Sequence, residues 1–64
     1  MRWISVKDAL PRKNWNVLLR GKIFGGRQVV YEGYLGSGDG DDVWYDWAGE
    51  EDDGVEVTDW MPIP

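Results

Sequence analysis

Apolar residues along this chain recur at every second position more often than at the helical period, and Val, Ile, Tyr and Trp dominate them. That alternation predicts strands. Two runs, about Trp15 to Phe24 and Arg27 to Leu35, are joined by Gly25-Gly26, a pair that takes φ > 0 without steric cost and so marks a two-residue hairpin. A third strand is predicted at Val43 to Trp47 and a fourth at Val55 to Trp60. Ahead of them, Trp3 to Pro11 reads as a short strand followed by one helical turn, with Ser5 and Asp8 at capping-box spacing and Pro11 as the stop. The expected fold is mainly β. It is a single domain, 1–64, built on a small antiparallel sheet of three to four strands around the Gly-Gly hairpin, with one short helical turn near the N-terminus.

The hairpin register assigns faces. With Gly25 and Gly26 as the central turn residues, Phe24 faces Arg27, Lys22 faces Val29, Arg20 faces Tyr31 and Leu18 faces Gly33, and directly opposed residues share a face. Val17, Leu19, Ile23, Val30 and Tyr34 then form the core side. The opposite side holds Leu18, Arg20, Lys22, Phe24, Arg27, Val29 and Tyr31, three cations among apolar and aromatic neighbours. In the third strand Val43, Tyr45 and Trp47 alternate against Trp44 and Asp46; in the fourth, Val55 and Val57 alternate against Glu56, Thr58 and Trp60.

Composition narrows the chemistry. Sixty-four residues without cysteine or histidine exclude disulfides, Cys/His zinc sites, thiol nucleophiles and histidine bases, so support must come from aromatic packing or from further copies. Ser5, Ser37 and Thr58 have no histidine to activate them, and no pair of carboxylates is marked out among twelve acids. Binding is the expectation, not catalysis, with no cofactor and no metal. No run approaches the length of a membrane span and the N-terminal residues lack a secretory signal, so a cytoplasmic protein without membrane or direct nucleic-acid binding is expected.

Charge is strongly partitioned. All seven basic residues lie within the first 27 positions beside one acid, Asp8, whereas the other eleven acids run from Glu32 to Asp59 with no base among them. The formal charge of −5 conceals a basic and an acidic part, which suggests oppositely charged surfaces or head-to-tail attraction between copies. The acidic loops, 36–42 and 49–54, fit calcium poorly: an EF-hand loop begun at Asp39 places Val43 at a ligand position and Trp44 where glycine is required. They read as solvated turns.

Anion binding fits the basic side better. Arg20, Lys22 and Arg27 with Tyr31 and Phe24 combine phosphate contacts with stacking rings; Arg12 and Lys13 extend the set, and Trp15 or Trp44 supplies a further ring.

The opening Trp3-Ile4-Ser5-Val6-Lys7-Asp8-Ala9-Leu10-Pro11, the central Val17-Leu18-Leu19 and the closing Val57-Thr58-Asp59-Trp60-Met61-Pro62-Ile63-Pro64 resemble a family of small phage and prophage proteins, domain of unknown function family 551. Asp59 stands where that family usually carries histidine. The resemblance implies a phage context, and the two end motifs suggest that Trp3 and Trp60 pack together as scaffold. Combined with the basic aromatic face, it points to a homo-oligomeric counter-defence protein that sequesters a small anionic nucleotide signal, a cyclic dinucleotide or an ADP-ribose derivative, without cleaving it. The alternatives are an acidic, nucleic-acid-mimicking inhibitor that meets a host defence protein through Asp41, Asp42 and Glu50 to Asp53, or a structural or regulatory prophage accessory.

Overall fold

The computed structural model describes residues 2–37, 42–51 and 54–63. Five strands form one antiparallel sheet: β1 (Ile4–Ser5), β2 (Val17–Ile23), β3 (Gln28–Ser37), β4 (Asp42–Asp46) and β5 (Val55–Pro62), in the order β1-β5-β2-β3-β4. The mainly β architecture is as expected, with one strand more. The fifth is β1, the short strand expected within the N-terminal segment, which joins the sheet by pairing its two residues with Trp60 and Asp59. No helix is present among the described residues. The helical turn expected after Ser5 is a hydrogen-bonded turn over 6–8, in which Ser5 O accepts from Asp8 N and Ala9 N and Ser5 Oγ accepts from Lys7 N. One turn cannot repay helix nucleation, and nothing beyond it continues the ladder.

The hairpin is one residue out of the expected register. Leu18 faces Glu32, Leu19 faces Tyr31 and Arg20 faces Val30. Phe24 therefore joins the loop, closed by Gly26 N donating to Ile23 O and Ile23 N donating to Arg27 O, both at 2.9 Å. Gly25 and Gly26, at φ 91° and 81°, supply the left-handed backbone that this three-residue loop requires. Burial explains the choice. The observed register turns Val29, Tyr31, Gly33 and Leu35 to the side of Val17 and Leu19, and Leu35 is only 1% exposed. Gly33 leaves room there: a Cβ on it would meet Leu19 Cδ1 at 2.8 Å. Val30 and Tyr34 turn outward instead, Val30 being largely exposed and Tyr34 stacked on Tyr45 with ring centroids 5.3 Å apart.

A second one-residue shift lies in β5. Between Arg20↔Asp59 and Gly21↔Val57 the ladder slips, so that Thr58 has no direct partner on β2. Its hydroxyl lies 2.7 Å from Asp59 Oδ1 and 3.1 Å from Arg20 O, satisfying polar groups that the bulge disturbs. The bulge brings Trp60 to the same side as Val57, where simple alternation separates them.

The sheet curls. In a flat sheet β4 and β5 would be about 14 Å apart, and Glu51 stands beyond β4, bridged to Tyr45. Gly54 follows three residues later, within about 10 Å of chain, and lines a groove with Lys22 and Phe24. The inner side holds the buried Val17, Leu19, Leu35 and Val57, and Val6, Tyr31, Trp44, Val55 and Trp60 pack against the Val17–Leu19–Val57 cluster. Trp3 is on the other side, its ring centroid 4.6 Å from the Arg20 guanidinium carbon. The expected Trp3–Trp60 contact is thus replaced by two separate roles, one on each side of the sheet.

Candidate functional site

The segment from Ala9 to Asn16 crosses the inner side, tied to the rest of the chain at two points and closed on itself at a third. Ala9 O accepts from Trp60 Nε1 at 2.9 Å, Leu35 O accepts from Asn14 N at 2.8 Å, and Arg12 O accepts from Trp15 N at 3.3 Å. The last bond closes a turn in which Asn14 takes φ 69°, a conformation that asparagine tolerates better than most residues. That turn returns the chain so that Arg12 and Trp15 stand together, the guanidinium carbon 5.0 Å from the ring centroid. Between this segment and the end of β5 opens a cleft of about 330 Å³, with Arg12, Trp15 and Asn16 on one wall and Trp60, Pro62 and Ile63 on the other. Pro11 and Val17 close its base. Trp15 and Ile63 are exposed at its edge, as is Leu10 next to Pro11. The arrangement offers a mostly apolar cleft with one guanidinium beside an indole, suited to a planar group that carries negative charge.

The other residues expected in one basic site are dispersed by the register. Arg20 is on the outer side, where its Nε lies 3.2 Å from Asp59 Oδ1 and its guanidinium lies over Trp3. The Asp59 carboxyl is held below its ordinary value of 3.8, first by the hydrogen bond from Arg20 and then by that from Thr58. Tyr31 and Trp44 pack on the inner side against the core. Arg27, exposed at the end of the hairpin, has its register partner Ile23 on the inner side, away from Arg20 and Lys22. Lys22 and Phe24 do share a groove at the hairpin tip, about 540 Å³ in volume. Glu56 lines that groove and faces Lys22 across the strands, which opposes an anion there. Of the expected residues, Arg12 and Trp15 are therefore the pair assembled with a stacking surface in an apolar cleft.

Trp60, Pro62, Ile63 and Asn16 were not expected at the site. For Trp60, Pro62 and Ile63 the signal lay in the closing segment, which the cleft joins to Pro11; Asn16 carried none. Residues 2–64 match the family described as Protein of unknown function (DUF551). The chain belongs to this family. The match therefore spans both walls of the cleft. No curated protein and no solved structure matches the chain. Among the described residues no group of three or more acids stands close enough to hold a metal ion, and no helix is long and apolar enough to cross a membrane. Asp39, Asp41, Asp52 and Asp53 of the acidic loops lie outside the described residues.

Proposed function

We propose that the chain is a non-catalytic binding protein that holds a small planar anion of the nucleotide class in the Arg12–Trp15–Trp60 cleft. In the phage or prophage setting that the end motifs suggest, the ligand is a nucleotide immune signal and binding sequesters it in the cytoplasm of an infected bacterium. The observation that carries this reading is the Arg12 guanidinium held 5.0 Å from the centroid of the exposed Trp15 ring at the mouth of the cleft. Phosphate is recognised by the guanidinium and the base by the indole walls. Volume limits the cargo. About 330 Å³ is near the small end of ligand pockets, enough for one nucleotide unit per cleft, so a cyclic dinucleotide or ADP-ribose derivative extends beyond it. The basic set on the hairpin no longer supports the reading, because Arg20 is paired and Arg27 faces away from it.

The test is a titration of intrinsic tryptophan fluorescence with AMP, ADP-ribose and cyclic dinucleotides. Saturable quenching is expected for at least one. Arg12→Ala and Trp15→Ala are each expected to weaken it about tenfold or more, with the circular dichroism spectrum retained, whereas Arg20→Ala leaves it unchanged. Folded Arg12→Ala and Trp15→Ala proteins that bind with the affinity of the parent would overturn the assignment.

A further inference from the structure

The cleft has a geometric counterpart on the same molecule. After β4 the chain makes a tight turn in which Asp46 Oδ1 accepts from Ala48 N at 2.9 Å and Glu50 N at 3.0 Å, while Asp46 N donates to Glu50 O and Gly49 N to Asp46 O. Gly49, at φ 81°, allows the reversal. This well-bonded turn presents Trp47 outward, 73% exposed, with the exposed Glu50 and Glu51 beside it. A large indole carried on a bonded turn loses only two side-chain torsions on contact, and tryptophan is enriched at the centre of interfaces. Its surroundings are acidic. The cleft, by contrast, carries Arg12, with Lys13 next to it in the chain.

Both features lie at one end of the sheet. Val17 pairs with Pro62 on one side and with Gly33 on the other, and Gly33 pairs in turn with Asp46. The cleft wall at Pro62 and the root of the Trp47 turn therefore share a row across the strands. Trp47 does not line the cleft of its own chain. A second copy of the chain carries such a turn with charge opposite to that of Arg12.

We propose that the Trp47 turn of a second copy occupies the Arg12–Trp15–Trp60 cleft, and reciprocally, so that two chains form a two-fold dimer. A two-fold axis through the shared end of the sheet satisfies both contacts at once and closes the assembly. Each turn brings Glu50 and Glu51 to the Arg12 and Lys13 of its neighbour, so the charge partition along the sequence becomes the recognition element between copies. Because the dimer uses the same cleft as the proposed nucleotide, ligand and partner compete. Nucleotide is then expected to release monomers. The dimer rests on that cleft but not on the identity of its small ligand.

The experiment is sedimentation velocity of the full chain, followed by a charge exchange. The parent is expected to show a mass twice that of the chain as concentration rises. Trp47→Ala is expected to remain at the monomer mass with an unchanged circular dichroism spectrum, since the side chain is exposed and the turn is held by Asp46 and the backbone. A doubly substituted cleft, Arg12→Glu with Lys13→Glu, and a doubly substituted turn, Glu50→Lys with Glu51→Lys, are each expected to be monomeric alone. Mixed one to one they are expected to regain the doubled mass, because each cleft then meets a turn of opposite sign. A parent that stays monomeric, a dimer that Trp47→Ala leaves intact, or a mixture that stays monomeric overturns the proposal. Recovery of a basic host protein by a monomeric parent overturns it in favour of the acidic-inhibitor reading. Nucleotide titration of Trp47→Ala separates the two ideas: binding by that variant alongside a monomeric parent leaves the nucleotide reading standing alone, and a parent dimer with no nucleotide binding by the variant leaves the dimer standing alone.

Discussion

Asp59 shows how one side chain can join several parts of a small sheet. It pairs with Arg20 from 39 residues away, is close to the Thr58 hydroxyl at the bulge, and belongs to a cluster completed by Trp3 over the guanidinium. Its carboxyl is held below 3.8 in the folded chain, so on acidification the unfolded chain takes up the proton first. The stability from this pair is therefore complete above the unfolded value and is lost as pH falls below about 4 through the lower folded value. Asp59→Asn is expected to cost about 1 kcal/mol at neutral pH and to flatten the acid limb of the stability curve. Urea unfolding at pH 3 and pH 7 checks both. The carboxylate forms an anchor for Arg20, which explains why that arginine is committed to structure. The sequence offered Arg12 and Trp15 only as additions to the basic face of the hairpin, Arg12 beside Lys13 and Trp15 as an alternative to Trp44; their pairing is seen only in the structure. Their partners Trp60 and Pro62 were not legible as site residues, because they lie more than 40 positions away and reach the cleft only through the pairing of β5 with β2.

At the level of elements, alternation located the strands, but two single-residue shifts decided which side chains face inward. Gly25-Gly26 correctly marked the hairpin. Whether Phe24 belonged to the loop was settled by the burial of Leu35 and the space at Gly33, contacts that local spacing does not contain. The slip inverted the faces of β3 relative to β2 and separated Tyr31 from Arg20. Likewise the bulge at Thr58 returned Trp60 to the core side, a reversal invisible to simple alternation because it depends on β2 as the partner. Gly33 carries a direct test of this packing. A methyl group there would collide with Leu19 and with the carbonyl of Tyr45, and backbone cannot yield as a flexible side chain does. Gly33→Ala is expected to lower stability by about 1–3 kcal/mol, measured by thermal or urea unfolding, with loss of the Tyr34–Tyr45 stacking signature in near-ultraviolet circular dichroism.

For the whole molecule, the strand order matters more than the strand count. β5 is the last strand in sequence yet lies between the first two, so the basic β2 and the acid-bearing β5 are neighbours: Arg20 faces Asp59 and Lys22 faces Glu56. A partition that divides the sequence into halves is interleaved in space. Among the described residues the buried core side chains are Val17, Leu19, Leu35 and Val57, and Val57 comes from β5. Deletion of residues 55–64 is therefore expected to abolish the fold, with collapse of amide dispersion in the proton NMR spectrum. The order of assembly follows from the same topology. The β2–β3–β4 meander joins segments close in sequence, whereas β5 closes a loop of nearly 40 residues onto β2, the slower kind of contact to form. During synthesis and refolding the meander can exist before its final neighbour arrives, and the wall formed by Trp60 and Pro62 is absent until then. Recognition by the cleft is thus confined to chains that have completed their last strand pairing, which makes binding competence itself a readout of finished folding.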